Sequence, residues 1–206
     1  MIRLIDKYLT TAFFGPLARR RNIRSGDIAV SILMYHSVSN DVETDIHPYF
    51  WINTSPEMFA EQMRFLKEND FRIISLSKAV ELLYGYRKKD SNIKYVVITF
   101  DDGFRDFYLN AFPILRKYGF TATVFLPTNF IDNHSQKMHG KDHLSWDEVI
   151  ELHNQGISFG SHTVSHPQLK FVDRDGVRCE IEQSKETIEC RLGGPIEAFS
   201  YPFAFP

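Results

Sequence analysis

Three polar clusters in this 206-residue chain hold side chains whose types and spacing could do chemistry. The first, Thr99-Phe100-Asp101-Asp102-Gly103, closes an apolar run that begins at Tyr95. Two carboxylates leaving a buried strand together are costly unless a cation or a proton shares the site. Successive side chains diverge, so one carboxylate can bind a metal while its neighbour faces the water that the metal activates. Asp-Gly also suits a hairpin turn, but a hairpin needs a partner strand next, and the sequence continues with a helical pattern. The second cluster is Ser161-His162-Thr163-Val164-Ser165-His166-Pro167. Histidines four apart converge on one ion when the segment makes a single turn, and imidazole suits zinc and its neighbours. Such a pair is weak evidence alone and much stronger beside the two aspartates. The third cluster, Phe199-Ser200-Tyr201-Pro202-Phe203-Ala204, reads by itself only as a strand end. His36 follows another apolar run and reads as a core histidine or a pocket residue. His139 and His143 repeat the four-residue spacing, but they share a long polar loop with Lys137, Lys141 and Asp142 and read as solvated.

Elements that could position these clusters alternate along the chain. Strands are predicted at 28–36, 73–74, 95–100, 121–126, 157–161 and 198–201, and helices at 77–86, 106–118, 145–154 and 175–192. A further helix opens at Ser55 with Pro56 in its first position. Gly119 closes the 106–118 helix and Pro113 should kink it. Ser145 and Glu148 have capping-box spacing. Strands alternating with helices of this length argue parallel β/α units, and uniformly apolar strands fit a sheet covered on both sides. A barrel and an open doubly wound sheet both satisfy the pattern. In either, functional groups should gather at the C-terminal ends of strands, and all three clusters do.

Bulk properties exclude little but agree with one soluble domain. The hydrophobic fraction is 43% and the charged fraction 24%, ordinary for a globular protein. A formal net charge of −2 gives no reason to expect nucleic acid as a partner. The 18 Phe and 9 Tyr chiefly supply a core, though some rings could line a sugar groove. Cys179 and Cys190 fall in one helical pattern, about 16 Å apart along its axis, too far for a disulfide. Residues 1–27 are read as an N-terminal extension, with a basic and partly apolar stretch too short to span a bilayer. No cleavable leader is recognisable there, so a cytoplasmic location is expected, with envelope association as the alternative.

Thr-Phe-Asp-Asp-Gly followed by Ser-His-Thr-x-x-His-Pro resembles the polysaccharide deacetylase (NodB-homology) family. The resemblance runs from about Ile28 to the C-terminus and takes in Leu33-Met34-Tyr35-His36-Ser37-Val38, Leu144-Ser145-Trp146 and Gly160-Ser161-His162. The Tyr-His strand and Ser-Tyr-Pro-Phe ending look most like the branch acting on bacterial poly-N-acetylglucosamine. It implies an α/β fold, a distorted and incomplete (β/α) barrel over residues 28–206. It also implies that Asp102, His162 and His166 bind a divalent metal, usually zinc, with Asp101 as general base. Water activated by the metal would attack the N-acetyl carbonyl of an N-acetylglucosamine-containing polysaccharide. The Phe203 backbone N–H would hold the oxyanion, and His36 and Tyr201 are candidate pocket residues. The sequence departs from the family where Ser200 replaces a common arginine and Ala204 a usual glycine. No histidine follows His166, so the family's C-terminal general acid has no counterpart and the C-terminal part of the domain is expected to be missing. The alternative to an enzyme is a catalytically silent metal- or glycan-binding remnant; an amidase acting on a small non-sugar amide is a third reading.

Overall fold

The computed structural model describes residues 28–41, 52–85, 93–132, 135 and 137–203. The expected N-terminal extension at 1–27 lies outside them. The described elements run β1 (Val30–Tyr35), β2 (Ser37–Val38), β3 (Asn53–Thr54), α1 (Pro56–Glu68), β4 (Arg72–Ile73), α2 (Leu76–Tyr84), β5 (Tyr95–Phe100), α3 (Phe112–Tyr118), β6 (Thr123–Leu126), α4 (Trp146–Asn154), β7 (Ser158–Ser161) and α5 (Arg174–Leu192). Local chemistry sets most boundaries. Ser55 caps α1 by accepting from the Met58 N–H, with Pro56 at the start. At α4 both halves of the capping box form, Glu148 N–H to Ser145 Oγ and Ser145 N–H to Glu148 Oε2. Left-handed glycines end α3 and α5 at Gly119 and Gly193.

All pairings in the main sheet are parallel, in the order β1-β5-β6-β7. β1 covers one edge of β5 along its whole length, Val30 opposite Tyr95 through Tyr35 opposite Phe100. The other edge is therefore shared: β4 pairs with its first two residues and β6 with its last two. Among the described residues no pairing joins β7 to β1, so the parallel sheet stays open, as an incomplete barrel must. β5 and β6 are buried at every position, as uniformly apolar strands should be. β1 departs from that expectation, since Ile32 and Met34 are each 58% exposed.

Two expected elements differ. The predicted 106–118 helix begins as a π-helical turn, Phe107–Ala111, and becomes α-helical only at Phe112. Pro113 has no N–H to give the preceding turn, and a shift of hydrogen-bond register accommodates it there. The predicted 198–201 strand is not a strand. Phe199 makes a single parallel bridge to Ser161, through Ser161 N–H to Ala198 O and Ser200 N–H to Ser161 O.

One face of the sheet packs Val96, Ile98, Phe100, Val124 and Leu126 against α1, α3 and α4 through Phe59, Met63, Leu115, Val149 and Leu152. Tyr35, Phe59, Phe100 and Phe107 form a chain of ring contacts with centroids 4.7–5.7 Å apart. Such rings bury large areas and fix relative angles, which holds the strand end at Phe100 in place. Cys179 and Cys190 are exposed free thiols on α5, as expected. No helix of the described residues is long and apolar enough to cross a membrane.

Gly160 in β7 is tightly enclosed. An added Cβ would lie 2.6 Å from the Phe125 ring and 2.8 Å from the Ala198 carbonyl. Gly160→Ala should therefore destabilise the fold by about 1–3 kcal/mol, read as a lower unfolding midpoint in denaturant. An unchanged midpoint would mean that the Phe125 ring gives way freely.

Candidate metal centre

β5 delivers Asp101 and Asp102 at its C-terminal end, and β7 delivers His162 at its own. Asp102 turns the chain with φ 68° and Gly103 continues with φ 60°. Gly103 is required twice over, because a Cβ there would also lie 2.8 Å from Leu126 Cδ2. Asp102 Oδ1 lies 3.4 Å from Nε2 of His162 and 3.1 Å from Nε2 of His166. All three ligating atoms fall within 4.8 Å of one another. Yet Asp102 Oδ1 is buried and makes no hydrogen bond of acceptable geometry. Donors bound tetrahedrally at zinc-like distances stand about 3.4 Å apart. The three atoms thus point at a common centre, and Asp102, His162 and His166 form a site that can hold a metal ion.

Neighbouring groups orient these ligands. Nδ1 of His162 lies 2.9 Å from the Ser200 carbonyl, which can only accept, so Nδ1 carries the proton and the Nε2 lone pair is free for a cation. The turn from His162 to His166 is held on two sides. Thr128 N–H and Asn129 N–H bond the carbonyls of Thr163 and Val164. From α5, Glu180 accepts from the N–H groups of Val164 and Ser165 at 2.8 Å and from the Ser165 hydroxyl at 2.6 Å. Thr163, a β-branched residue at φ 70°, takes the His166 N–H on its hydroxyl. His166, at φ 56°, stacks loosely on Phe203, ring centroids 4.8 Å apart.

The adjacent aspartates have opposite electrostatics. Burial pushes the Asp101 carboxyl above its ordinary range, only partly offset by His162, His36 and the Ser200 hydroxyl at 3.3 Å. Burial acts on Asp102 too, but the two facing imidazoles outweigh it and hold its carboxyl well below that range. In return, Asp102 and Asp101 raise His162 against the effect of its burial. Neighbouring carboxyls driven apart in this way can take different roles.

The other expected site residues separate. His36 acts on both aspartates from the junction between β1 and β2. Ser37, Asn53, Asp106 and Lys141 tie that segment down, with Ser37 Oγ donating to Asp106 at 2.6 Å and Lys141 Nζ donating to Ser39 Oγ at 3.0 Å. Tyr201 is 70% exposed and packs edge-on against Phe199. His139 is exposed, as a solvated loop requires. His143 is a correction: it is 6% exposed, between the rings of Phe104 and Phe130. Burial pushes its imidazole down to about 4, against the charges of Asp102 and Asp142. The loop is drawn inward because Arg105 N–H bonds Asp142 O and Leu144 N–H bonds Gly103 O, beside the aspartates. Glu180 was invisible in the sequence as well, since its role depends on where α5 crosses the histidine turn.

Comparison with known proteins bears on the family and the fold. The polysaccharide deacetylase family profile matches residues 88–205. Bacillus subtilis YxkH, by name a candidate polysaccharide deacetylase, is 32% identical over 171 residues, 83% of this chain and 55% of the relative. The poly-β-1,6-N-acetyl-D-glucosamine N-deacetylase of Staphylococcus aureus is 30% identical over 142 residues, 68% of this chain and 45% of the relative. The chain thus spans about half the length of these relatives. The solved structure of Streptococcus pyogenes deacetylase PplD in complex with acetate superposes with TM-score 0.71 at 28% identity, covering 84% of this chain and 73% of that one.

Removing the Glu180 carboxylate should loosen the turn that aims His166. Glu180→Ala is expected to weaken divalent-cation binding about 10–100-fold, measured by competition with a chromophoric chelator, with helix content unchanged by circular dichroism. Wild-type affinity in the variant would show that the turn holds itself.

Proposed function

The chain belongs to the polysaccharide deacetylase family, and from that premise we propose that it hydrolyses N-acetyl groups from an N-acetylglucosamine-containing glycan, with zinc held by Asp102, His162 and His166. The observation that carries this reading is the convergence of those three donors beside a fourth group, Asp101, with opposite electrostatics. Bound there, the ion would polarise the amide carbonyl and acidify a coordinated water. Asp101 then accepts a proton as the new C–O bond forms, and its raised affinity for that proton suits a general base. The Ser200 hydroxyl orients it. The Phe203 backbone N–H is our candidate for the developing oxyanion, and His36 lines the same pocket. As the tetrahedral intermediate collapses, the proton taken by Asp101 passes to the leaving nitrogen and the C–N bond breaks, giving acetate and a glucosamine amine. A Staphylococcus aureus relative named for poly-β-1,6-N-acetyl-D-glucosamine deacetylation supports the substrate class.

Wild-type protein should bind about one zinc per chain, and Asp102→Ala or His162→Ala should lose it, by elemental analysis after dialysis. Equal zinc in those variants would remove the site assignment. Asp101→Asn should keep the zinc and lose at least about 100-fold in acetate release from N-acetylglucosamine oligomers. A wild type that binds zinc but releases no acetate would instead favour a silent metal-binding remnant.

A further inference from the structure

Asp106 stands at the head of the π-helical turn without capping it. Its side chain, 13% exposed, is bound instead to the segment that follows β1. Ser37 Oγ donates to it at 2.6 Å and the Val38 N–H at 3.1 Å. Both partners are fully buried. β2 pairs with β3 through the N–H groups of Ser37 and Ser39, so the N–H and carbonyl of Val38 face the other way. No strand of the described residues pairs with β2 on that side. Asp106 supplies the acceptor there, and Asn110, one turn on, donates to the Val38 carbonyl at 2.7 Å. Two side chains thus do what a neighbouring strand would do for buried peptide groups.

Lys141 matches the charge of Asp106. Its side chain is 9% exposed, with Nζ 3.6 Å from the Asp106 carboxylate and 3.0 Å from Ser39 Oγ, and it also pairs with Asp41. A tight turn presents that lysine, closed by Lys141 N–H to Met138 O with His139 and Gly140 at positive φ. What lies between these anchors is the turn that carries the two aspartates. Asp101 N–H bonds the Tyr35 carbonyl at 2.9 Å, so residues 35–38 hold this turn at its start and, through Asp106, at its end. Its other side is held elsewhere, by Leu144 N–H on Gly103 O and by Arg105 N–H on Asp142 O. The Asp101 bond ends the β1–β5 ladder, and among the described residues β1 pairs with β5 alone. The last bond of an edge strand is where a ladder opens first unless something beyond it is anchored.

We propose that Asp106, with Lys141 as its counter-ion, is a positioning residue for Asp101: its bonds to Ser37 and Val38 anchor the end of β1 on which the Asp101 peptide is fixed. The carboxylate that accepts the proton thereby keeps one direction relative to Asp102. The inference deepens the proposed deacetylase reading and rests on it for the consequence in turnover.

Amide exchange read by nuclear magnetic resonance on the whole chain tests this in Asp106→Ala. The Asp101 amide should exchange about tenfold faster, while Val97 and Val124, in the middle of the sheet, keep their protection. Zinc affinity, by competition with a chromophoric chelator, should stay within about threefold, because Leu144 still holds the turn beside Asp102. Acetate release from N-acetylglucosamine oligomers should lose about tenfold in kcat with KM within about twofold. Asp106→Asn, whose side-chain oxygen can still accept from the Val38 N–H, should restore most of the Asp101 protection. Ser37→Ala removes the shorter bond from the opposite partner; it should give a smaller change in the same direction and serves if the alanine variant does not fold. Protection lost equally at Val97 and Val124 would overturn the proposal by making Asp106 a general stabiliser. Asp101 exchange unchanged in Asp106→Ala and Ser37→Ala would overturn it too, as would faster exchange with kcat unchanged. A wild type that releases no acetate would count against the proposed function, while the exchange of the Asp101 amide would still decide the role of Asp106.

Discussion

The Asp102 carboxylate lies where the apolar strand β5 stops, 4% exposed and facing two imidazole nitrogens. Moving a carboxylate out of water costs several kcal/mol unless charge or hydrogen bonds replace what water gave. Nothing in the core around Phe100 and Leu126 can do so, because those groups are apolar. A proton or a cation shared with the imidazoles of His162 and His166 is therefore the electrostatic condition for Asp102 to stay ionised there. His162, itself buried, in turn depends on it. Each half of this arrangement is unfavourable alone, and the parallel pairing of β5 with β6 and of β6 with β7 is what brings the halves together.

Backbone strain follows from the same requirement. Four of the seven non-glycine residues with positive φ among those described are Asp102, Thr163, His166 and Phe203. Left-handed conformations cost a β-branched or bulky residue roughly 1–2 kcal/mol each. They persist only where the surroundings over-determine them, and here they do. Thr163 is held at its carbonyl by Thr128, at its hydroxyl by the His166 N–H and at its own N–H by Ser161 Oγ. The Glu180 carboxylate supplies three further bonds to the same turn. Strain concentrated on the candidate ligands and their neighbours, with only Gly103 as a glycine beside them, is what a preorganised site requires.

This division explains how much was legible beforehand. Strand β5, the capping box at Ser145 and Glu148, and the two separate motifs that carry Asp102 and the His162–His166 pair are each written in short local runs, so local pattern reveals them. The 198–201 segment looked like a strand because Phe199 and Tyr201 favour extended backbone. Whether such a segment pairs depends on a neighbouring edge, and β7 gives it only the bridge at Ser161. His143 misled for the same reason in reverse: its polar neighbours predict solvent, but the bonds to Gly103 and Arg105 pull it inward. Glu180 sits on a helix rich in solvated charges, and only the crossing of α5 over the histidine turn distinguishes it from them.

The positive φ at Asp102 also accounts for two adjacent carboxylates behaving as different groups. On a continuing strand, Asp101 and Asp102 would point to opposite faces of the sheet, one of them into the hydrophobic core. The turn at Asp102 and Gly103 instead brings both to the open end of the sheet while setting their directions apart. Asp102 meets the imidazoles; Asp101 accepts from the Ser200 hydroxyl, and His162 and His36 offset its burial only in part. Ser200 is held by its N–H on the Ser161 carbonyl, and its own carbonyl fixes His162. One residue of an unpaired segment thereby sets the direction of the free carboxylate and the tautomer of a ligand. Where a residue with a longer cationic side chain would hold Asp101 as an ion pair, the serine leaves its proton affinity high, which favours proton acceptance over simple charge storage.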